Sequence, residues 1–139
     1  MILIDTNVIS EGLRARPNVQ VKSWLDEQPA EELYLCTPVV AELHYGAYLL
    51  PIGERRTKLE RSISDLIVAF GERILPFDAA AAMEFGKFVA RRDAIGRATG
   101  TMDGLIAAIA LVHNATIATR DKRGFNDSGI NLIDPFDRT

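Results

Sequence analysis

The sequence predicts a three-layer α/β/α sandwich with a mostly parallel sheet, and three observations carry that prediction. Short β-rich apolar runs recur along the chain, stretches with helical spacing stand between most of them, and helix start and stop signals punctuate those stretches. Strands separated by helices pair in parallel through right-handed crossovers, which places helices on both faces of the sheet. At 139 residues the chain has room for one core, so a single domain over 1–139 is expected.

The elements follow in order. Ile2 to Ile4 is a wholly apolar strand, and the polar Asp5, Thr6 and Asn7 after it form a turn able to cap a helix. Asn18 caps a helix carrying Val19, Val21, Trp24 and Leu25, closed near Pro29. Leu33 to Thr37 reads as the second strand. Thr37-Pro38 then starts a helix, because proline at the first helical position loses no needed donor, and the helix runs to about Leu50. Leu59, Ile63, Leu66, Ile67 and Phe70 recur at helical spacing up to Gly71. Arg73 to Phe77 is the third strand, Asp78 caps a helix from Ala79 to about Ile95, and Gly96 stops it. Met102 to His113 is another helix, Thr116 to Thr119 the fourth strand, 120–129 a polar loop and Ile130 to Ile133 the last strand.

Composition narrows the class. Hydrophobic residues at 47% and charged residues at 25% describe an ordinary globule rather than a disordered chain. No apolar run approaches a membrane span, and the N-terminus has no basic leader, so a cytoplasmic protein without membrane contact is expected. The single Cys36 lies in an apolar strand and reads as a buried small hydrophobe. A net charge of −3 argues against nucleic-acid binding unless something positive is added to the protein.

In parallel sheets of this kind ligands bind beyond the carboxyl ends of the strands, and four acids map to that edge. Asp5 follows the first strand, Glu42 lies one turn into the helix after the second, Asp103 opens the helix before the fourth, and Asp121 follows the fourth. Each has an ordinary explanation as well: Asp5 as a helix cap, Glu42 as a surface residue, Asp103 as a helix-dipole partner, Asp121 as a solvated loop charge. Asp103 is the sharpest anomaly, because Leu105, Ile106, Ile109, Leu111, Val112 and the intervening alanines make its helix apolar all round. Converging carboxylates repel by roughly 4 kcal/mol per pair at 4 Å and an effective dielectric near 20, so a cation is expected among them. Oxygen-only ligation suits Mg²⁺ or Mn²⁺, and His44 and His113 lack the spacing of zinc ligands.

These residues carry a family resemblance. Ile2-Leu3-Ile4-Asp5-Thr6-Asn7-Val8, Thr37-Pro38-Val39-Val40-Ala41-Glu42-Leu43, Met102-Asp103-Gly104-Leu105-Ile106-Ala107-Ala108 and Ala118-Thr119-Arg120-Asp121-Lys122-Arg123-Gly124-Phe125 resemble, in order, the four motifs of PIN-domain ribonucleases of the VapC toxin kind, in the FitB-like subgroup. Gly104 stands where that family often has a bulkier residue, and Asp121 where it commonly has Asn.

The resemblance implies that Asp5, Glu42, Asp103 and Asp121 are catalytic and bind one or two Mg²⁺ or Mn²⁺ ions for hydrolysis of RNA phosphodiester bonds. Thr6, Asn7 and Thr119 would orient those carboxylates. Arg97 and Arg120 are the residues expected to touch RNA, within a basic set that also includes Arg14, Arg16, Arg91, Arg92, Lys122 and Arg123. It further implies a toxin of a type II toxin–antitoxin module, with a small antitoxin as partner, operator DNA reached only through that antitoxin, and a homodimer or toxin–antitoxin hetero-oligomer. Two alternatives compete with this reading. A signalling receiver domain also gathers acids around Mg²⁺, but no strand-end Asp occupies the middle of this chain and Lys122 directly follows an acid. A catalytically silent binding module on the same fold is disfavoured by the intact acidic set.

Overall fold

The computed structural model describes residues 1–137 and consists of a parallel sheet with helices on both faces. Its strands are β1 (Ile2–Ile4), β2 (Leu33–Cys36), β3 (Ile74–Leu75), β4 (Thr116–Ala118) and β5 (Leu132–Ile133). They lie in the order β3-β2-β1-β4-β5, and every neighbouring pair is parallel. The helices are α1 (Thr6–Gly12), α2 (Val19–Glu27), α3 (Thr37–Tyr48), α4 (Glu54–Phe70), α5 (Ala79–Ala94) and α6 (Thr101–His113). This order overturns the receiver alternative, whose doubly wound sheet runs 2-1-3-4-5.

Several local expectations need adjustment. The turn after β1 is a full helix, α1, with Asp5 as its N-cap. The second strand ends at Cys36, because Thr37 is already helical and Pro38 follows at the start of α3. The outer strands β3 and β5 pair over only two residues each, since an edge strand has one neighbour to extend along. Asn18 and Asp78 cap α2 and α5 through their side chains, as predicted.

The core lies between the sheet and the helices. Leu3, Ile4, Leu35 and Ile117 are fully buried strand residues, and Val8, Val39, Ile63, Phe88 and Ile106 reach them from the helices. In α6, Gly104 and residues 106–110 are all buried, so the apolar-all-round reading of that helix holds for its middle, while Thr101 at its start and Val112 and His113 at its end are exposed. A Cβ on Gly104 would lie 2.8 Å from the Phe85 ring and 3.3 Å from Val89. Phe85 and Val89 of α5 fill the space beside Gly104, and the missing side chain lets the two helices approach closely.

Candidate active site

The strand ends and one helix start bring the predicted acids to a single edge. Asp5, Thr6, Asn7, Ser10, Glu42, Asp103 and Asp121 line one cleft of about 250 Å³. Asp5 leaves β1 at the centre of the sheet with 4% of its surface exposed. Its capping role and its place in the cleft are compatible, because each oxygen does a different job: Oδ1 accepts from the Thr6 backbone N–H at 2.7 Å, and Oδ2 accepts from Thr119 Oγ1 at 2.7 Å and Asn7 Nδ2 at 3.2 Å.

Thr119, wholly buried at the end of β4, is saturated as a hydroxyl can be. Its proton goes to Asp5, and its oxygen accepts from Asn7 Nδ2 at 3.2 Å and from the Asp121 backbone N–H at 3.0 Å. Asn7 closes the ring by accepting from the Arg120 backbone N–H at 3.1 Å. The β1 and β4 ends are thereby locked together, and Asp121 is delivered beside Asp5. Thr6 performs a parallel service on the other side, donating from Oγ1 to Glu42 Oε1 at 2.6 Å. Glu42 is half-buried, with Val39 buried and Gly46 exposed on its flanks, so it borders the buried face of α3 rather than entering it.

Electrostatics agree with this placement. Burial pushes the Asp103 carboxyl up to about 6, and the charges of Asp5, Asp121 and Glu42 push it the same way, while Arg92 pulls it down. Asp5 is also raised, chiefly by burial, against the lowering effect of its bonds from Thr119 and Thr6. None of the four acids takes part in an ion pair among the described residues. The donors are all oxygens, which fits a hard cation. Among the described residues no three acidic, histidine or cysteine side chains cluster tightly enough to chelate one ion unaided.

Cys36 sits just behind the acids, at the end of β2. Burial raises its thiol to about 12, and the charges of Asp5 and Glu42 add to the effect. Since the thiolate is the reactive form, iodoacetamide at pH 8 is expected to leave the native protein unmodified and to label Cys36 once denaturant is added. Intact-mass spectrometry reads the difference, and rapid labelling of the native protein would contradict the burial.

The basic residues divide. Arg120, Lys122 and Arg123 line a second cleft of about 560 Å³ together with Asn7, Asp121 and Asp134. The two clefts share Asn7 and Asp121, so cationic side chains border the acidic cleft directly. Arg120 stacks its guanidinium 4.4 Å from the Phe136 ring centre. Arg97 is exposed and paired with Asp127 at 3.0 Å, and it lines neither cleft. Arg91 is exposed, whereas Arg92, grouped with it in the basic set, is 2% exposed and turned inward, which removes it from any RNA surface. Sequence reasoning missed Ser10 and Asp134. Asp134 directly follows β5, and the strand-end rule that found Asp5 and Asp121 points to it as well.

Comparison with known proteins completes the picture. The family described as PIN domain matches residues 2–129. The VapC ribonuclease Y4jK of Sinorhizobium fredii is 39% identical over 138 residues, 99% of both chains. Toxin FitB of Neisseria gonorrhoeae is 40% identical over 137 residues, 98% of this chain and 99% of that protein. The crystal structure of FitAcB from Neisseria gonorrhoeae superposes with a TM-score of 0.92 at 39% identity, covering 98% of this chain and 99% of that one. With strand order, motif positions and end-to-end similarity in agreement, the chain belongs to the PIN-domain family.

Proposed function

We propose that the protein is a Mg²⁺- or Mn²⁺-dependent ribonuclease that hydrolyses RNA phosphodiester bonds and acts as the toxin of a toxin–antitoxin pair. The observation that carries this reading is the cleft itself: four carboxylates from separate elements face one space with no cation paired to any of them among the described residues. The names of the relatives, a VapC ribonuclease and a toxin, support the substrate class and the biological role.

Asp5 and Asp103 would hold one divalent ion, and Asp121 a second. Such ions, when bound, offset the clustered negative charge, polarise the phosphodiester and acidify a nearby water. Asp5 is held in place by its bonds from Thr6, Asn7 and Thr119, so no reorganisation is needed as charge builds up. Glu42, fixed by Thr6, is placed to accept a proton or to orient water. Arg120, Lys122 and Arg123 meet the phosphates flanking the cleaved bond. The net charge of −3 ceases to be an objection, since two divalent ions bring it to −3 + 4 = +1. A small antitoxin is the partner this role requires, with operator DNA reached through it, and the action is cytoplasmic. No helix among the described residues is long and apolar enough to cross a membrane.

The test is direct. Purified protein with single-stranded RNA is expected to produce discrete cleavage products in Mg²⁺ or Mn²⁺ and none in EDTA. Cleavage that persists in EDTA, or its absence with both ions, overturns the proposal.

A further inference from the structure

Arg92 is a buried cation whose charge acts on Asp103 but which makes no direct carboxylate contact among the described residues. It is 2% exposed and takes part in no ion pair among the described residues. A buried guanidinium is expensive unless its N–H groups are satisfied, and here they are satisfied by neutral oxygens from two separate loops. Nε donates to Thr99 Oγ1 at 2.6 Å, in the segment leading into α6. One terminal nitrogen donates to the Arg123 carbonyl at 3.0 Å and the other to the Asn126 carbonyl, both in the loop that carries Asp121. The Arg92 carbonyl also accepts from the Arg97 N–H at 2.8 Å, so the same residue organises the turn after α5.

Between the two loop carbonyls lies Gly124. A Cβ built there would overlap the Asp103 carboxylate, lying 2.9 Å from its Cγ. The loop backbone therefore rests against Asp103 itself, and any side chain at position 124 would displace the carboxylate or the loop. Lysine cannot replace this arrangement, because a single ammonium cannot span two carbonyls and a hydroxyl on different segments.

We propose that Arg92 is a positioning residue: its buried guanidinium clamps the 120–126 loop onto Asp103 through Gly124 and so sets the spacing between Asp103 and Asp121. The inference rests on the ribonuclease reading for its consequence, though the clamp is read from geometry alone. The experiment compares the parent protein, Arg92→Lys and Gly124→Ala by hydrogen exchange, by Mn²⁺ titration calorimetry and by RNA cleavage. Arg92→Lys is expected to speed exchange of the 123–126 amides while β1 and β4 stay protected, and to weaken Mn²⁺ binding about 10- to 100-fold. Gly124→Ala, which keeps the guanidinium, is expected to weaken Mn²⁺ binding similarly and to lower kcat with little change in KM. Unchanged loop exchange and Mn²⁺ affinity in Arg92→Lys overturn the clamp, and so does exchange raised uniformly through the core. If the parent binds no Mn²⁺ and cleaves no RNA, the functional reading fails, while loop exchange still decides the clamp.

Discussion

Asp5→Asn is expected to lower metal-dependent RNA cleavage more than about 100-fold, beyond the 10- to 100-fold typical of losing a residue that merely supports a ligand, while the protein stays folded. The catalytic part of this expectation follows from replacing the most buried of the four acids by a neutral group at the centre of the sheet edge. The stability part is a balance. Asparagine keeps the acceptor that caps α1 through the Thr6 N–H, but its amide nitrogen then faces Thr119 Oγ1 and Asn7 Nδ2. Thr119 already accepts from Asn7 and from Asp121, so the new N–H groups meet filled partners, at a cost of about 1 kcal/mol or somewhat more. Against this, the substitution removes a carboxylate that burial disfavours, as the upward displacement of Asp5 records. The two effects oppose, so the melting temperature is expected to move by only a few degrees. Single-turnover cleavage with a melting curve measures both, and activity within tenfold of the parent would remove Asp5 from the mechanism.

The acidic edge was legible because each acid follows a local signal: a strand end for Asp5 and Asp121, a helix start for Asp103, a Thr-Pro helix entry for Glu42. Such signals depend on a few neighbouring residues and survive folding unchanged. Arg92 was misjudged for the opposite reason. Charge alone groups it with Arg91 in the basic set, yet it lies four residues after Phe88 and eleven after Ala81, on the buried stripe of α5. Helical spacing placed it inside, and only the partners that make a buried cation tolerable were invisible. Gly124 could not be read at all as a contact, because its role depends on two segments meeting in space. The receiver alternative survived in the sequence for a similar reason: alternating strands and helices do not reveal the order in which the strands lie side by side.

Asp103→Asn is expected to stabilise the metal-free protein at pH 7.5 while abolishing cleavage, a combination that a merely structural acid would not give. In the folded state this carboxyl sits at about 6 against an ordinary value of 3.8, so between those values the folded chain holds more proton than the unfolded one. Its contribution to stability is full below about pH 4 and is lost as pH rises through about 6. Asp5, also raised, acts in the same direction. In a fully buried setting the Asp103 displacement would correspond to roughly 3 kcal/mol. Because the side chain is only half-buried, solvent screening reduces this to about 1–2 kcal/mol, and loss of a favourable charge in the first turn of α6 subtracts a few tenths more. The net gain corresponds to a rise of roughly 3–6 °C in melting temperature for a domain of this size. Two controls sharpen the assignment. Below pH 3.8, where the carboxyl is protonated in the folded and the unfolded chain alike, the advantage of the variant should nearly vanish. At pH 7.5, Mn²⁺ should raise the melting temperature of the parent and have much less effect on Asp103→Asn, because a cation offsets the burial and repulsion of the same charge that the substitution removes. A variant less stable than the parent at pH 7.5, or one with the parent's pH profile, would show that Asp103 is held by favourable contacts and is not a carboxylate kept under repulsion for a cation.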